Sequence, residues 1–274
     1  MRGRLNRERL EELFTLYHHR AFVHPDPLEF LYHYPDLQDR EIVALIASSL
    51  SYGRVAQILK SVSIVLERLG ESPHGFLLNT GRKRMCSLFS GFKHRFTTGE
   101  EMTGMLLALK QVLEKYGSLH DAFDGVFDEK EETILPALSR FTGMLRKNGP
   151  MIRNSLLPFP EKGSACKRLN LFLRWMVRED DVDPGGWGRV PKAKLIVPLD
   201  THMHRIGRMF QLTGRKQADM RTAIEITHAF RKIVPDDPVR YDFVLTRLGI
   251  WGEMEPEAFF KACVNDRGGG DSMI

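Results

Sequence analysis

The sequence is poor in cysteine and has no long apolar run. Its three cysteines, Cys86, Cys166 and Cys263, lie far apart and form no CxxC pair. A zinc or iron–sulfur site built from cysteines is therefore not expected, and the sparse thiols suit a reducing compartment. No stretch approaches the roughly 18 apolar residues of a membrane span, and the charged N-terminus lacks a signal-peptide core. We expect a cytoplasmic protein without membrane contact.

The composition that remains is that of an ordinary globular protein. Of 274 residues, 42% are hydrophobic and 27% are charged, and this length suffices for one large domain or two lobes that share a cleft. The net charge is +5, which favours a polyanionic partner. Many basic proteins bind no nucleic acid, so the motifs have to decide between these partners.

The spacing of apolar residues predicts a mainly helical fold. Apolar side chains recur at intervals of three and four nearly everywhere, and only Lys194–Val197 has the pattern of a short extended piece. Proline- and glycine-rich joints occupy 149–164 and 183–191, and the tail 266–274 is expected to fray. The predicted helices cover 5–17, a segment from 36–39 to 51–53, 55–70, 101–116 and 132–146.

A tight turn of small residues precedes Lys167. Gly163 interrupts one helix and Ser164 and Ala165 open the next, so that backbone N–H groups could bind phosphate there. An ordinary helix–helix connection has the same pattern. Lys167 falls in the first turn of the new helix, where the helix dipole and an apolar helix face disfavour the ammonium form. It is either a nucleophilic amine or a solvated surface lysine.

Asp200 is the second candidate, because it follows an apolar run and precedes a helical pattern. This position makes it a helix N-cap, a role that requires no catalysis. His202 and His204 invite a metal site together with Asp200. Since residues two apart on a helix point to different faces, a shared ion is not expected.

These residues resemble motifs of the endonuclease III and oxoguanine glycosylase superfamily. The segment 163–170, Gly-Ser-Ala-Cys-Lys-Arg-Leu-Asn, resembles the second half of its helix-hairpin-helix signature. Leu199-Asp200-Thr201-His202, followed by Arg205-Ile206, resembles the segment that carries the superfamily's aspartate. Segments 43–53 and 241–252 are similar to two further helices. The resemblance covers 40–70 and 150–255 in order, whereas 71–149 is not placed.

The resemblance implies an all-α fold of two helical lobes, with a helix-hairpin-helix and a cleft between the lobes. The chain would form one unit over 1–274, with an approximate first lobe at 40–150 and a hairpin and catalytic segment at 151–255. The implied activity is that of a bifunctional DNA glycosylase and AP lyase. Lys167 would attack the sugar and Asp200 would assist it. The implied partner is double-stranded DNA with a damaged base, bound by a monomer without a cofactor or metal.

Thirty-three positions separate Lys167 from Asp200, an interval that resembles the archaeal oxoguanine glycosylase branch and makes 8-oxoguanine the first substrate hypothesis. The expected DNA contacts are Gly163, Ser164, Ala165, Arg168, His202 and Arg205, with Arg208 as a further phosphate contact. The expected base-pocket residues are Trp187, Leu50 and Tyr52.

The chain also departs from the superfamily. Ala165 replaces the second hairpin glycine, Leu50 stands where endonuclease III has a glutamine, and the cysteines of the iron–sulfur cluster are absent. Two alternatives therefore stay open. One is a DNA-binding module that keeps the scaffold without catalysis, and the other is a metal-dependent hydrolase built on Asp200, His202 and His204.

Overall fold

The protein is mainly helical, as predicted. The computed structural model describes residues 5–148 and 155–251, and the predicted frayed tail lies outside these residues. The α-helices are α1 Arg7–Tyr17, α2 Leu37–Ser49, α3 Val55–Leu69, α4 Pro73–Asn79, α5 Arg82–Leu88, α6 Gly99–Tyr116, α7 Leu119–Asp124, α8 Leu135–Asn148, α9 Lys167–Val177, α10 Thr201–Met209, α11 Met220–Arg231 and α12 Asp242–Trp251. Short 3-10 turns cover Arg20–Phe22, Pro27–His33, Pro160–Lys162 and Lys192–Lys194.

Side-chain caps explain where several helices begin. The Asp36 carboxylate accepts hydrogen bonds from two backbone N–H groups of α2, and Asp219 does the same for Thr222 at the start of α11. Thr98 and Glu101 form a reciprocal capping box at the start of α6. Gly70, with a φ of +75°, ends α3. Local sequence therefore sets these helix boundaries.

Two helices, α2 and α9, form the centre of the molecule. They pack against each other, and every residue from Ile42 to Leu50 and from Leu169 to Val177 is buried. Helix α9 is buried on all sides over residues 169–177, whereas the sequence predicted a single apolar face. Helix α2 belongs to the predicted first lobe and α9 to the predicted hairpin and catalytic segment. Both helices contribute side chains to one continuous core.

The segment 71–149, which the resemblance left unplaced, contains α4 to α8 and a small β-hairpin. Strand β1 (Lys93–His94) pairs antiparallel with β2 (Thr97–Thr98), with Lys93 opposite Thr98. Helix α6 packs against α4, α7 and α8. This part of the chain completes the core on one side of α2.

The predicted extended piece at Lys194–Val197 does not form a strand. Residue 194 ends a 3-10 turn, and residues 195–197 pair with no strand in the described part of the chain. The Val197 N–H instead donates to the Thr227 hydroxyl over 3.0 Å. Residues 195–197 are buried in the core. Within the described ranges, no helix has both the length and the apolar character that crossing a bilayer requires.

Candidate active site

Lys167 is the first residue of α9. The preceding residue, Cys166, has a φ of +47° in the left-handed region, so the chain turns sharply into the helix. Burial raises the pKa of the Cys166 thiol to about 11, which keeps it protonated at neutral pH. Lys167 is half-buried. The nucleophilic candidate in this turn is therefore the amine and not the thiol.

Asp200 is the N-cap of α10. Its Oδ1 accepts a hydrogen bond from the Met203 N–H over 2.9 Å, and the carboxylate is half-buried. The apolar residues before it, Leu195 to Leu199, are buried and anchor the start of the helix. The predicted capping role is confirmed.

The charges of both Lys167 and Asp200 influence the pKa of a third residue, Asp242. Asp242 is the first residue of α12, is buried, and accepts a hydrogen bond from Arg174 of α9 over 2.6 Å. Burial raises the pKa of Asp242 to about 6, although Arg174 acts to lower it; the negative charge of Asp200 adds to the rise and the positive charge of Lys167 opposes it. Lys167 and Asp200 therefore lie within electrostatic reach of the same buried carboxyl.

The other oxygen of this carboxyl is free. Asp242 Oδ1 is buried and has no hydrogen-bond partner among the described residues. Helices α10 and α12 pack against each other, so the helix that begins with Asp242 contacts the helix that Asp200 caps. An unpaired buried oxygen is costly unless the group is protonated or has a function, and this adds Asp242 to the candidate site.

Asp242 belongs to a buried ion-pair network that sequence reasoning missed. Arg174 also pairs with Asp183 over 3.0 Å, and Arg178 pairs with the same carboxylate over 2.5 Å. Arg178 further contacts Asp237 over 3.0 Å. Arg174, within the apolar second half of α9, and Arg178, at its C-cap, were the available signal, because buried cations require buried carboxylates.

The network continues to the N-terminal helix. Arg178 contacts Asp180 over 2.8 Å, and Asp180 in turn contacts the ring Nε2 of His18 over 2.9 Å. Burial acts against the ionised form of Asp180, but His18 and Arg178 together hold its pKa well below its usual range. The loop after α9 is thereby tied to the end of α1.

The three predicted phosphate-binding residues before α9 differ in their exposure to solvent. Gly163 and Ser164 are exposed, whereas Ala165 is buried. The Gly163 N–H already donates to the Pro160 carbonyl over 3.0 Å, so the prediction that this N–H binds phosphate is not supported. Ser164 forms an isolated bridge with Asp219. The turn before α9 is held against the start of α11, and Ser164 is exposed there.

Arg168 faces the protein rather than a ligand. Its guanidinium donates to the Ser49 carbonyl over 2.6 Å and to the Ser155 carbonyl over 2.5 Å, and it lies 4.9 Å from the centre of the Tyr52 ring. These contacts join the start of α9 to the end of α2. The prediction of Arg168 as a phosphate contact is therefore corrected to a structural role.

Two of the three predicted base-pocket residues belong to the core. Leu50 and Trp187 are both fully buried, and the Trp187 indole donates to Glu41 over 3.2 Å. Neither can contact a base unless the core opens, so these two predictions are not supported. Tyr52 is half-buried, and its hydroxyl contacts the His94 carbonyl and the Thr97 hydroxyl. Only Tyr52 reaches the surface.

Helix α10 presents an exposed basic face. Arg205 and Arg208 are exposed and His202 is half-buried. His204 Nε2 lies 3.0 Å from the Arg215 carbonyl, which gives that ring a partner other than Asp200. Among the described residues, no group of three His, Cys, Asp or Glu side chains is arranged to hold a metal ion. The geometry of His204 gives no support to the metal-hydrolase alternative.

Two surface depressions, of about 580 and 310 Å³, lie elsewhere in the described part. The first lies between α6 and α8 and the second between α5 and α6, and neither is lined by Lys167 or Asp200. The predicted cleft beside Lys167 therefore stays a prediction.

A comparison with known families identifies one match. The family model described as "Protein of unknown function (DUF2400)" matches residues 26–251, a span that includes Lys167, Asp200 and Asp242. No curated protein and no solved structure matches the chain.

Proposed function

This chain belongs to the DUF2400 family, whose description assigns no activity, and we propose that it is a DNA glycosylase with an AP lyase step. The substrate in this proposal is a damaged base in duplex DNA, reached by flipping the nucleotide out of the stack. The supporting observation is that Lys167 and Asp200, 33 positions apart in sequence, both influence the pKa of buried Asp242, which Asp200 raises and Lys167 lowers. A primary amine and a carboxylate near each other are the pair that this chemistry needs.

The first chemical step exchanges one bond at the sugar. The uncharged Nζ of Lys167 attacks C1′, and the bond from C1′ to the base breaks with its electron pair leaving on the base. Asp200 accepts the proton released by the attacking nitrogen and offsets the positive charge that develops on the sugar. The departing base takes up a proton from solvent.

The second step cleaves the strand. Ring opening turns the C1′–Nζ bond into a Schiff base, which acidifies the proton on C2′. A water molecule takes that proton, and the electron pair of the C2′–H bond forms a double bond between C2′ and C3′ while the 3′-phosphate leaves by β-elimination. Hydrolysis of the Schiff base then regenerates the Lys167 amine. This sequence requires neither an oxidant nor a bound cofactor.

Asp242 has a positioning role in this scheme. It is the buried first residue of α12 and is held by Arg174. In this scheme it therefore acts on the reacting groups through its charge and not by contact with DNA. When ionised, it stabilises the cationic sugar and the cationic Schiff base. The buried network behind it holds Arg174 in place.

DNA contacts in this proposal come from the exposed face next to these residues. Ser164 lies on the turn before α9, and Arg205 and Arg208 lie on the exposed side of α10. Cations and polar groups on such a face bind backbone phosphates without reading sequence. The duplex would cross this face between the two proposed lobes, with the turn before α9 serving as the hairpin. An 8-oxoguanine base is the first substrate to test because of the long interval between Lys167 and Asp200.

Borohydride trapping tests the proposal directly. The protein is mixed with a duplex that carries 8-oxoguanine, and separately with one that carries an abasic site, and borohydride is added to reduce any Schiff base. We expect a covalent adduct that is absent in Lys167→Gln. Lys162→Gln is the matched control, because this exposed lysine lies on the same turn and its loss should leave the adduct unchanged.

A second pair of variants tests the carboxylate. Asp200→Asn keeps the N-cap, since asparagine caps helices as well as aspartate, but removes the charge. Asp36→Asn makes the same change at the N-cap of α2. We expect slower trapping only in Asp200→Asn. Binding without an adduct in the wild type would identify a DNA-binding module, and activity lost on chelation would identify a metal-dependent hydrolase.

A further inference from the structure

The tip of the β-hairpin carries an exposed aromatic residue. Phe96 is 78% exposed, more than the other large apolar side chains exposed in the described part of the chain, of which Leu16 is next at 60%. Phenylalanine is usually buried. An exposed ring at the end of a projecting turn therefore suggests contact with a partner.

Buried residues and hydrogen bonds anchor the β-hairpin to the rest of the protein. His94 and Thr97 are buried on either side of the tip. The ring of His94 contacts the Ser61 hydroxyl over 2.8 Å and the Tyr52 carbonyl over 3.1 Å, and Thr97 contacts the Tyr52 hydroxyl over 2.6 Å. The backbone at the tip is thus fixed, and little conformational entropy is lost when Phe96 binds a partner.

The tip also lies close to the loop between α2 and α3. A Cβ atom on Gly53 would be 2.7 Å from Cδ of Arg95, so the two turns are in direct contact there. Arg95 lies 5.5 Å from the centre of the Phe96 ring and 5.9 Å from that of Tyr52. Tyr52 in turn contacts Arg168, the residue after Lys167. A short series of contacts therefore leads from the tip to the start of α9.

Charge around the tip is positive. Lys93, Arg95 and Arg54 are all exposed and form no ion pair within the described residues, and Glu100 is the nearest exposed acid to the tip in sequence. An aromatic ring surrounded by cations matches a nucleic-acid strand, in which bases stack on rings and phosphates contact cations. An apolar protein partner would not need these cations.

We propose that Phe96 stacks against an unpaired base of distorted duplex DNA, while Lys93, Arg95 and Arg54 contact the flanking phosphates. This inference rests on the proposed function for its choice of DNA. Residues that insert at a base step stabilise the gap or kink where stacking is already broken. Leu50, which the sequence suggested as a base-pocket residue, is fully buried and cannot take this role.

The test uses DNA on which no chemistry can occur. Binding is measured by fluorescence anisotropy for a duplex with a tetrahydrofuran abasic-site analogue and for the fully paired duplex. A single stacked base accounts for an affinity loss of about tenfold when its aromatic partner is removed. We therefore expect Phe96→Ala to lose about tenfold for the abasic duplex and to change little for the paired one. Phe96→Trp should retain the preference, and Leu16→Ala, an exposed apolar control on α1, should bind as the wild type does.

The outcomes separate this inference from the proposed function. Equal binding by Phe96→Ala and the wild type overturns the stacking role even if the Lys167 adduct forms. A lost preference in Phe96→Ala without any borohydride adduct supports the stacking role and rejects the catalytic proposal. No measurable binding of the wild type to either duplex overturns the inference. Because Phe96 is exposed, its replacement does not threaten the fold.

Discussion

Arg174 donates a hydrogen bond to Asp242 across 2.6 Å and thereby joins α9, which begins with Lys167, to the first residue of α12. Both side chains are almost completely buried, and Arg174 has Asp183 as a second partner. One buried cation therefore holds together the loop after α9 and the helix beside Asp200. This relationship leads to the first of four predictions.

Arg174→Met is expected to lower the free energy of unfolding by about 3–5 kcal/mol, because it leaves buried Asp242 without its cation and leaves Asp183 with Arg178 alone. Arg205→Met removes an arginine from the exposed face of α10 and should cost less than about 0.5 kcal/mol. Urea unfolding of both variants measures the difference. Equal stability of the two would show that the network contributes nothing to the fold.

The pH dependence of trapping is expected to report Asp242. Its pKa is raised to about 6, so its negative charge develops as the pH rises through that value. Since this charge stabilises cationic sugar and Schiff-base species, the trapping rate should increase between about pH 5 and 7. Asp242→Asn should lack this increment. A profile that is the same in wild type and variant would remove Asp242 from the site.

Acid unfolding is expected to depend on Asp180. The folded protein holds the pKa of Asp180 below its usual range, so the unfolded chain binds its proton more readily. The stabilisation is then complete above about pH 4, the ordinary range of an aspartate, and is lost as the pH falls towards the folded-state pKa. Asp180→Asn should weaken the acid sensitivity, whereas Asp181→Asn, next in sequence and exposed, should not. Unfolding midpoints between about pH 2 and 6 decide this.

Trp187→Phe tests whether Trp187 is a core residue or part of a base pocket. The variant removes the indole N–H that donates to Glu41, a buried acid whose pKa is raised by burial to about 7. We expect a loss of about 1–3 kcal/mol in unfolding free energy and an unchanged trapping rate well below the unfolding temperature. A changed substrate preference without a change in stability would restore Trp187 as a pocket residue.

Local sequence was a good guide to the helices. The apolar spacing and caps predicted α2, α3 and α6 close to their observed bounds, and Asp200 was recognised as an N-cap because capping depends on neighbours in sequence. The short helices α4, α5 and α7, with six or seven residues each, were missed because their patterns are too brief to show a period.

Burial of individual side chains was harder to predict. Trp187 and Arg168 read as surface residues in a loop and in a helix start, but both are turned inward by partners distant in sequence, Glu41 and Ser49. The same difficulty applies to Asp242, whose raised pKa arises from a fold that encloses it. No local pattern distinguishes such a carboxyl from an ordinary N-terminal aspartate of a helix.

The amino-acid sequence by itself determined the helical character of the chain, its positive charge, and the positions of Lys167 and Asp200 at the starts of two helices, because these depend on composition and on nearby residues. Only the tertiary structure decided that Asp242 lies within reach of both charges, that Arg174 is enclosed with it, and that Phe96 stays in solvent. Electrostatic coupling and burial depend on distance in space, and packing brings together residues that the chain keeps far apart.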